Sequence, residues 1–305
     1  MRAEQIEIGH QASARSIWLA AILGLAGALI AAALAWSGGG LAFGRDTTGF
    51  NPLYAASGLA VGILVGLTGI GGGSLMTPLL VLLFGFQPAT AVGTDLLYAS
   101  ATKAVGTAVH GSNRTIDWRI TGRLAAGSVP ATVLSVILLY LLHFHGNSAS
   151  KVISTVLGFA LLLTALTILF RKQLSRLAHR SGTRRSERAT LWLTITLGAV
   201  LGVLITLSSV GAGAIGVTVL IFLYPQMPVS RIVGSDIAHA VPLTLIAGAG
   251  HLALGSVSLT VLGSLLAGSI PGIIIGSHLT ARIPEHVLRP ILAGTLMLVG
   301  GKLIF

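Results

Sequence analysis

The sequence predicts an all-α fold: a polytopic transmembrane helical bundle with an internal duplication and discontinuous helices. Three observations predict it. Hydrophobic residues make up 53% of the 305 positions and charged residues only 9%, where a soluble domain carries about 25% charged. Such a chain cannot cover a soluble surface, and it is too apolar for disorder. Its mean hydropathy is +0.90, and its length has room for roughly eight to eleven apolar segments at about 20 residues per crossing. Finally, polar landmarks recur at a spacing of 141 residues, as in Asp95 and Asp236, or His110 and His251. The 40 glycines suit close helix approach in a membrane.

The first unit, residues 1–51, is a transmembrane helix and a Gly-rich link. Its apolar run, 17–36, follows Arg2 and Arg15. That order also fits a signal peptide, but the run is long for one, and we expect it to be retained. The first repeat is 52–170. It opens with an apolar stretch, 52–86, that is broken at Gly69, Gly71, Gly72 and Gly73. So many glycines cannot form a stable helix interior. The stretch is either a hairpin of short helices or one long discontinuous helix. Ordinary crossings follow at 89–109, 124–142 and 152–170. Residues 171–190 form a basic cytoplasmic loop with seven Lys or Arg and one acid up to Arg188. The second repeat, 191–305, has a broken stretch at 191–224, then crossings at 232–254, 259–279 and 287–305. Its break reads Ser208, Ser209, Val210, Gly211, Ala212, Gly213.

A shift of 141 places Gly72 on Gly213, Thr77 on Thr218, Gly93-Thr94-Asp95 on Gly234-Ser235-Asp236, and Pro130 on Pro271. Apolar matches would be cheap in this chain, whereas the Asp, His and Pro matches are not. Internal repeats with broken helices are a common plan for secondary transporters.

The net charge of +11 would suggest nucleic acid in a soluble protein. In a membrane protein it reads as basic cytoplasmic loops, so no nucleic-acid partner is expected. Contact with anionic lipid is compatible with the same charges. Arg114, Arg119 and Arg123 share one short loop, which we place inside, together with 171–188. If each broken stretch returns to its starting side, the repeats are inverted, with the amino terminus inside and the carboxyl terminus outside. If each crosses once, they are parallel. The arginines favour inversion.

The breaks are the leading site candidates. A helix that ends inside a membrane leaves backbone N–H groups that attract an anion. Gly69, Gly71, Gly72 and Gly73 would let an anion touch the backbone, with Ser74 and Thr77 adding hydroxyls. Ser208, Ser209, Gly211, Gly213 and Thr218 would play that part in the second half. Small-residue packing explains one such run equally well; a polar break in both halves favours a site. Lys103 sits mid-segment, about 12 Å along the helix from Asp95, where a charge is costly and suited to a bound anion or a buried acid. Asp95 and Asp236 are proton-coupling candidates, although either carboxylate equally serves as a helix-terminal cap. His110, His239 and His251 are proton-coupling candidates too, with capping slightly ahead for His110 and His251.

No cysteine is present, and the histidines show no zinc spacing, so no metal and no cofactor are expected. No catalytic triad, HExxH or Walker A motif appears with convincing context, which argues against an enzyme.

The run Leu67-Thr68-Gly69-Ile70-Gly71-Gly72-Gly73-Ser74-Leu75-Met76-Thr77-Pro78 resembles the glycine-rich signature of the sulfite exporter TauE/SafE family. Ala91-Val92-Gly93-Thr94-Asp95 and the element from His110 to Trp118 are similar to that family's motifs, with Arg114 where a glycine is usual. Gly268-Ser269-Ile270-Pro271-Gly272 and Gly301-Lys302-Leu303 match its second half. In the first half, Gly127-Ser128-Val129-Pro130-Ala131 departs at the alanine. The resemblance covers about 55–305. It implies a multi-pass permease of the cell inner membrane for small anions, often sulfur-containing ones such as sulfite or organosulfonates. The same residues are compatible with an anion channel, a non-transporting scaffold, or a homo-oligomer.

Overall fold

Ten α-helices make up the described part of the chain. The structure, a computed structural model, describes residues 51–68, 73–142, 147–180, 186–279 and 285–304. The predicted helix at 17–36, most of its link, and Gly69, Gly71 and Gly72 lie outside the described residues.

Helix α1 (Pro52–Thr68) begins at a proline whose missing N–H costs nothing there, and Asn51 Oδ1 accepts from Leu53 N at 2.9 Å. After the break come α2 (Gly73–Leu82) and α3 (Pro88–Ser112). The Asp117 side chain caps α4 (Trp118–Leu141), accepting from the N–H groups of Arg119 and Ile120. Arg119 and Arg123 are therefore helical, not part of the loop, and only Arg114 belongs to the turn. Helix α5 spans Asn147–Arg180, so the basic stretch read as a loop is helical as far as Arg180. Ser186 caps α6 (Glu187–Ser208). Then come α7 (Ile215–Leu223), α8 (Val229–Ala253), α9 (Leu259–Leu279) and α10 (Glu285–Ile304).

The solvent is lipid, and burial shows it. Leu134, Leu138, Leu141, Phe159 and Leu298 point outward, while Thr77, Asp95, Thr132, Asp236 and His239 are buried. Among the described residues five helices are long and apolar enough to cross a membrane: α4, α5, α6, α8 and α9. Exposed Trp118 and Trp192 lie near the starts of α4 and α6, and exposed Tyr140 near the end of α4, as expected of interfacial aromatics.

Glycine contacts fix the helix directions. Gly93 lies against His251 and Ser256, Gly106 against Ile237, Gly248 against Leu97, and Gly234 against His110 and Thr115. Helices α3 and α8 are thus antiparallel and cross near their middles. Gly158 lies against Gly300 and Ile304, while Arg171 and Arg289 line one pocket, so α5 and α10 are antiparallel as well. By contrast, α1 and α9 run parallel, with Gly58 on Leu265, Gly62 on Ser269 and Ile63 on Gly276. Parallel too are α4 and α6, with Leu124 on Gly198 and Ser128 on Gly202. These contacts match at a spacing of 141 for α4 and α9, but of 140 for α1 and α6. The 141 spacing therefore stops at the break, and the second break is one residue longer.

Each broken stretch folds back as a hairpin. Tyr54 at the start of α1 packs edge-on against Phe84 just after α2, with ring centroids 4.7 Å apart. In the second stretch the Tyr224 hydroxyl, just after α7, bonds Thr194 Oγ1 near the start of α6 at 2.8 Å. Of the two arrangements the sequence allowed, the hairpin is the one formed.

Candidate functional site

Helix α3 places Asp95, Tyr98 and Thr102 on one face, with Lys103 beside them, because residues three, four and seven apart share a helix side. Helix α8 presents Asp236, His239 and Thr244 in the same way. All of these except Lys103 are buried; Lys103 is only partly covered.

The aspartates do not cap their own helices, since each lies two turns in. They reach instead to the short helices. Thr77 of α2 donates its hydroxyl to Asp95 Oδ2. Gly213, just before α7, donates its N–H to Asp236 Oδ2 at 2.7 Å. Gly213 has φ +99°, which a side chain rarely tolerates, and this turn aims its N–H at the acid. Each carboxylate therefore occupies a polar group at the head of a hairpin's second arm. The N–H expected to receive an anion already holds one of the protein's own carboxyl groups.

The two breaks meet. Gly73 packs directly on the Ser209 carbonyl, and Ser209 takes a left-handed conformation with φ 59° to end α6. The Ser209 hydroxyl faces Asp95 without completing a hydrogen bond. Lys103 lies within electrostatic reach of both Asp236 and Asp95 and of His239, and it forms no ion pair within 4.0 Å with either acid. Asp95 Oδ1, Asp236 Oδ1, Ser209 Oγ and His239 Nδ1 are buried with no hydrogen-bond partner among the described residues. Unsatisfied polar atoms in a dry interior cost about 1–3 kcal/mol each. These atoms form a polar centre inside an apolar bundle, within electrostatic reach of the Lys103 ammonium.

The other sequence candidates fall around this centre. Ser74 and Thr218 are buried on the short helices. The Ser208 hydroxyl donates to Leu204 O at 2.6 Å and accepts from Val210 N at 3.2 Å, so it ties the break together. Gly211 shapes the turn with φ +131°. His251 donates from Nε2 to the Thr206 carbonyl at 2.9 Å, a C-terminal cap on α6. His110 Nδ1 bonds Thr115 Oγ1 at 2.8 Å in its own turn and stands apart from the centre. Among the described residues no group of three His, Asp or Glu is placed to hold a metal.

The residues alone did not single out Tyr98, Ser128 or Ser269. Tyr98 OH bonds Ser269 Oγ at 2.6 Å, and His239 Nε2 bonds Ser128 Oγ at 2.7 Å. Both pairs are related by the 141 spacing, which was the available signal.

The family model for Sulfite exporter TauE/SafE matches residues 54–303, the whole of this helical core. The chain belongs to the TauE/SafE family. It is 41% identical over 251 residues to the "Probable membrane transporter protein YjnA" of Bacillus subtilis, covering 81% of this chain and 97% of that protein. It is 26% identical over 204 residues to the "Probable membrane transporter protein MJ0441" of Methanocaldococcus jannaschii, covering 65% and 70%. No solved structure matches it. This TauE/SafE chain is a multi-pass membrane transporter acting on a small anion, not an enzyme.

Proposed function

We propose that this TauE/SafE protein is an internally duplicated, inverted-repeat secondary carrier, and that its substrate is a sulfur oxyanion such as sulfite or an organosulfonate. The observation that supports the site is that the two breaks meet at Gly73 and Ser209 and the hairpin arms hold Asp95 and Asp236, with Lys103 within electrostatic reach of both acids. The family description supports the substrate class. The duplication is supported by hydrogen bonds that recur at the repeat spacing: Thr94 Oγ1 accepts from Ser258 N, as Ser235 Oγ accepts from Asp117 N. Helix pairs at that spacing are antiparallel, which a two-fold axis in the membrane plane produces and one along the membrane normal does not.

Charge accounts for coupling. With both carboxylates ionised, the cluster of Asp95, Asp236 and Lys103 is net negative. An anion at about 6 Å from one extra negative charge is opposed by about 3 kcal/mol at an effective dielectric of 20. Protonating the carboxylates removes that opposition and weakens the hold of Asp236 on the Gly213 N–H, so that a substrate oxygen can compete for it. Anion and protons therefore travel together.

The test is flux of sulfite, methanesulfonate and sulfate into liposomes holding the purified protein. Saturable flux driven by a proton gradient is expected for a carrier; non-saturating flux marks a channel. Lys103→Met should stay folded and lose binding. Lys103→Arg should rescue it poorly, since a planar fork replaces a compact ammonium. Wild-type affinity in the methionine variant removes Lys103 from the site.

A further inference from the structure

We propose that Arg171 and Arg289 form a second, outlying anion site that loads the central site from the arginine-rich face. The proposal rests on the carrier reading above. A small pocket is lined by Arg171 and Thr167 of α5, Arg289 of α10, and Gly213, Ala214 and Thr218 at the head of α7. The two arginines are far apart in sequence, and the antiparallel pairing of α5 with α10 brings them together. Arg171 ends the apolar span Ser150–Arg171, so the pocket reaches from the break at Gly213 to the polar end of that span.

One of its walls is shared with the aspartate cluster. Gly213 lines the pocket and also holds Asp236 through its N–H. An anion in this pocket therefore lies against the residue whose N–H holds Asp236. Guanidinium forks suit a ligand with two or more acceptor oxygens on one centre, so the ligand class is a compact oxyanion rather than a halide. The device is one-sided. At the repeat spacing, Arg289 falls on Ser148, so the equivalent place on the opposite face lacks this arginine. A symmetric core thus acquires a face with tighter loading.

A phosphodiester lipid headgroup offers the same oxyanion chemistry, and the experiment separates the two sources. Sulfite flux is measured from each face of oriented proteoliposomes for the wild type, R171Q/R289Q and R171K/R289K. The glutamine pair should raise the half-saturating sulfite concentration on the arginine face about tenfold, the loss of about one charge-assisted hydrogen bond, and leave the other face unchanged. The lysine pair should recover part of the loss. No change on the arginine face overturns the proposal, and so does an equal rise on both faces with a lowered melting temperature. The measurement is made in phosphatidylcholine alone and with one-third phosphatidylglycerol. An arginine effect seen only with phosphatidylglycerol assigns the pocket to lipid and overturns the substrate site. Absence of sulfite flux in the wild type overturns the carrier reading and this proposal with it. Intact flux with an unchanged glutamine pair overturns this one alone.

Discussion

Asp236 and Asp95 are the residues on which the proposed carrier mechanism most depends. Asparagine keeps an acceptor for the Gly213 N–H but cannot exchange a proton. Asp236→Asn should therefore preserve the fold and the turn at Gly213 while removing proton-driven accumulation of anion. Exchange of internal for external anion should persist, because a neutral side chain no longer opposes the substrate. Asp95→Asn should act likewise, since Thr77 can donate to the amide oxygen. The measurement is flux against an imposed pH gradient, beside exchange without one. Retained proton-driven accumulation in both variants would make the acids structural caps. Lys103 was legible in the sequence because a lone ammonium in an apolar run demands a partner. Its partners were not legible as a set, since Asp236 lies on another helix and comes near only through the α3–α8 crossing. Arg114 shows local strain in the same light. It holds φ 53°, where its counterpart Gly255 holds φ 70°, which is the conformation a glycine at this turn provides without a side-chain penalty.

At the scale of helices, close backbone approach organises the bundle. Gly268 of α9 packs on the backbone of Ala55 and Leu59 in α1, so a methyl there must push the helices apart. Gly263, on the same helix, has nothing within 4 Å of the place a methyl would take. Gly268→Ala should lower stability by about 1–3 kcal/mol, the usual range for overpacking. Gly263→Ala should be neutral or stabilise by up to about 1 kcal/mol. Melting curves in detergent check the contrast, and equal effects at both positions would remove backbone contact as the cause. The apolar runs predicted these helices but placed several ends wrongly. The α4 start is set by the Asp117 cap and lies before two arginines, and α5 continues through a basic segment to Arg180. Charge does not stop a helix: Lys and Arg are good helix formers once outside the lipid.

For the whole molecule the decisive property is orientation. If the repeats are inverted, the loop after α2 and the loop after α7 open on opposite sides of the membrane. Gln87 and Gln226 lie in those loops, and both are exposed. The chain has no cysteine, so Gln87→Cys and Gln226→Cys each introduce a single thiol. An impermeant thiol reagent added to intact cells should label Gln87→Cys and spare Gln226→Cys. It should also spare Asn113→Cys, on the arginine-rich side with Gln226. Labelling of both loops from outside would establish parallel repeats. A reporter fused after Phe305 should read as periplasmic on the same model.

By itself, the sequence determined the solvent, the fold class and the family. Each follows from properties that add along the chain: apolar content, the scarcity of charge, and a glycine signature short enough to read locally. It also located the breaks, because clustered glycines cannot stay helical wherever they fall. Only the tertiary structure decided that each broken stretch doubles back, that α3 and α8 run antiparallel, and that the Gly213 N–H meets Asp236. It alone brought Arg171 beside Arg289. The reason is physical. A helix direction or a meeting of side chains from distant segments is fixed by how backbones fit across glycines, and that fit depends on both partners at once. No single stretch of sequence carries both.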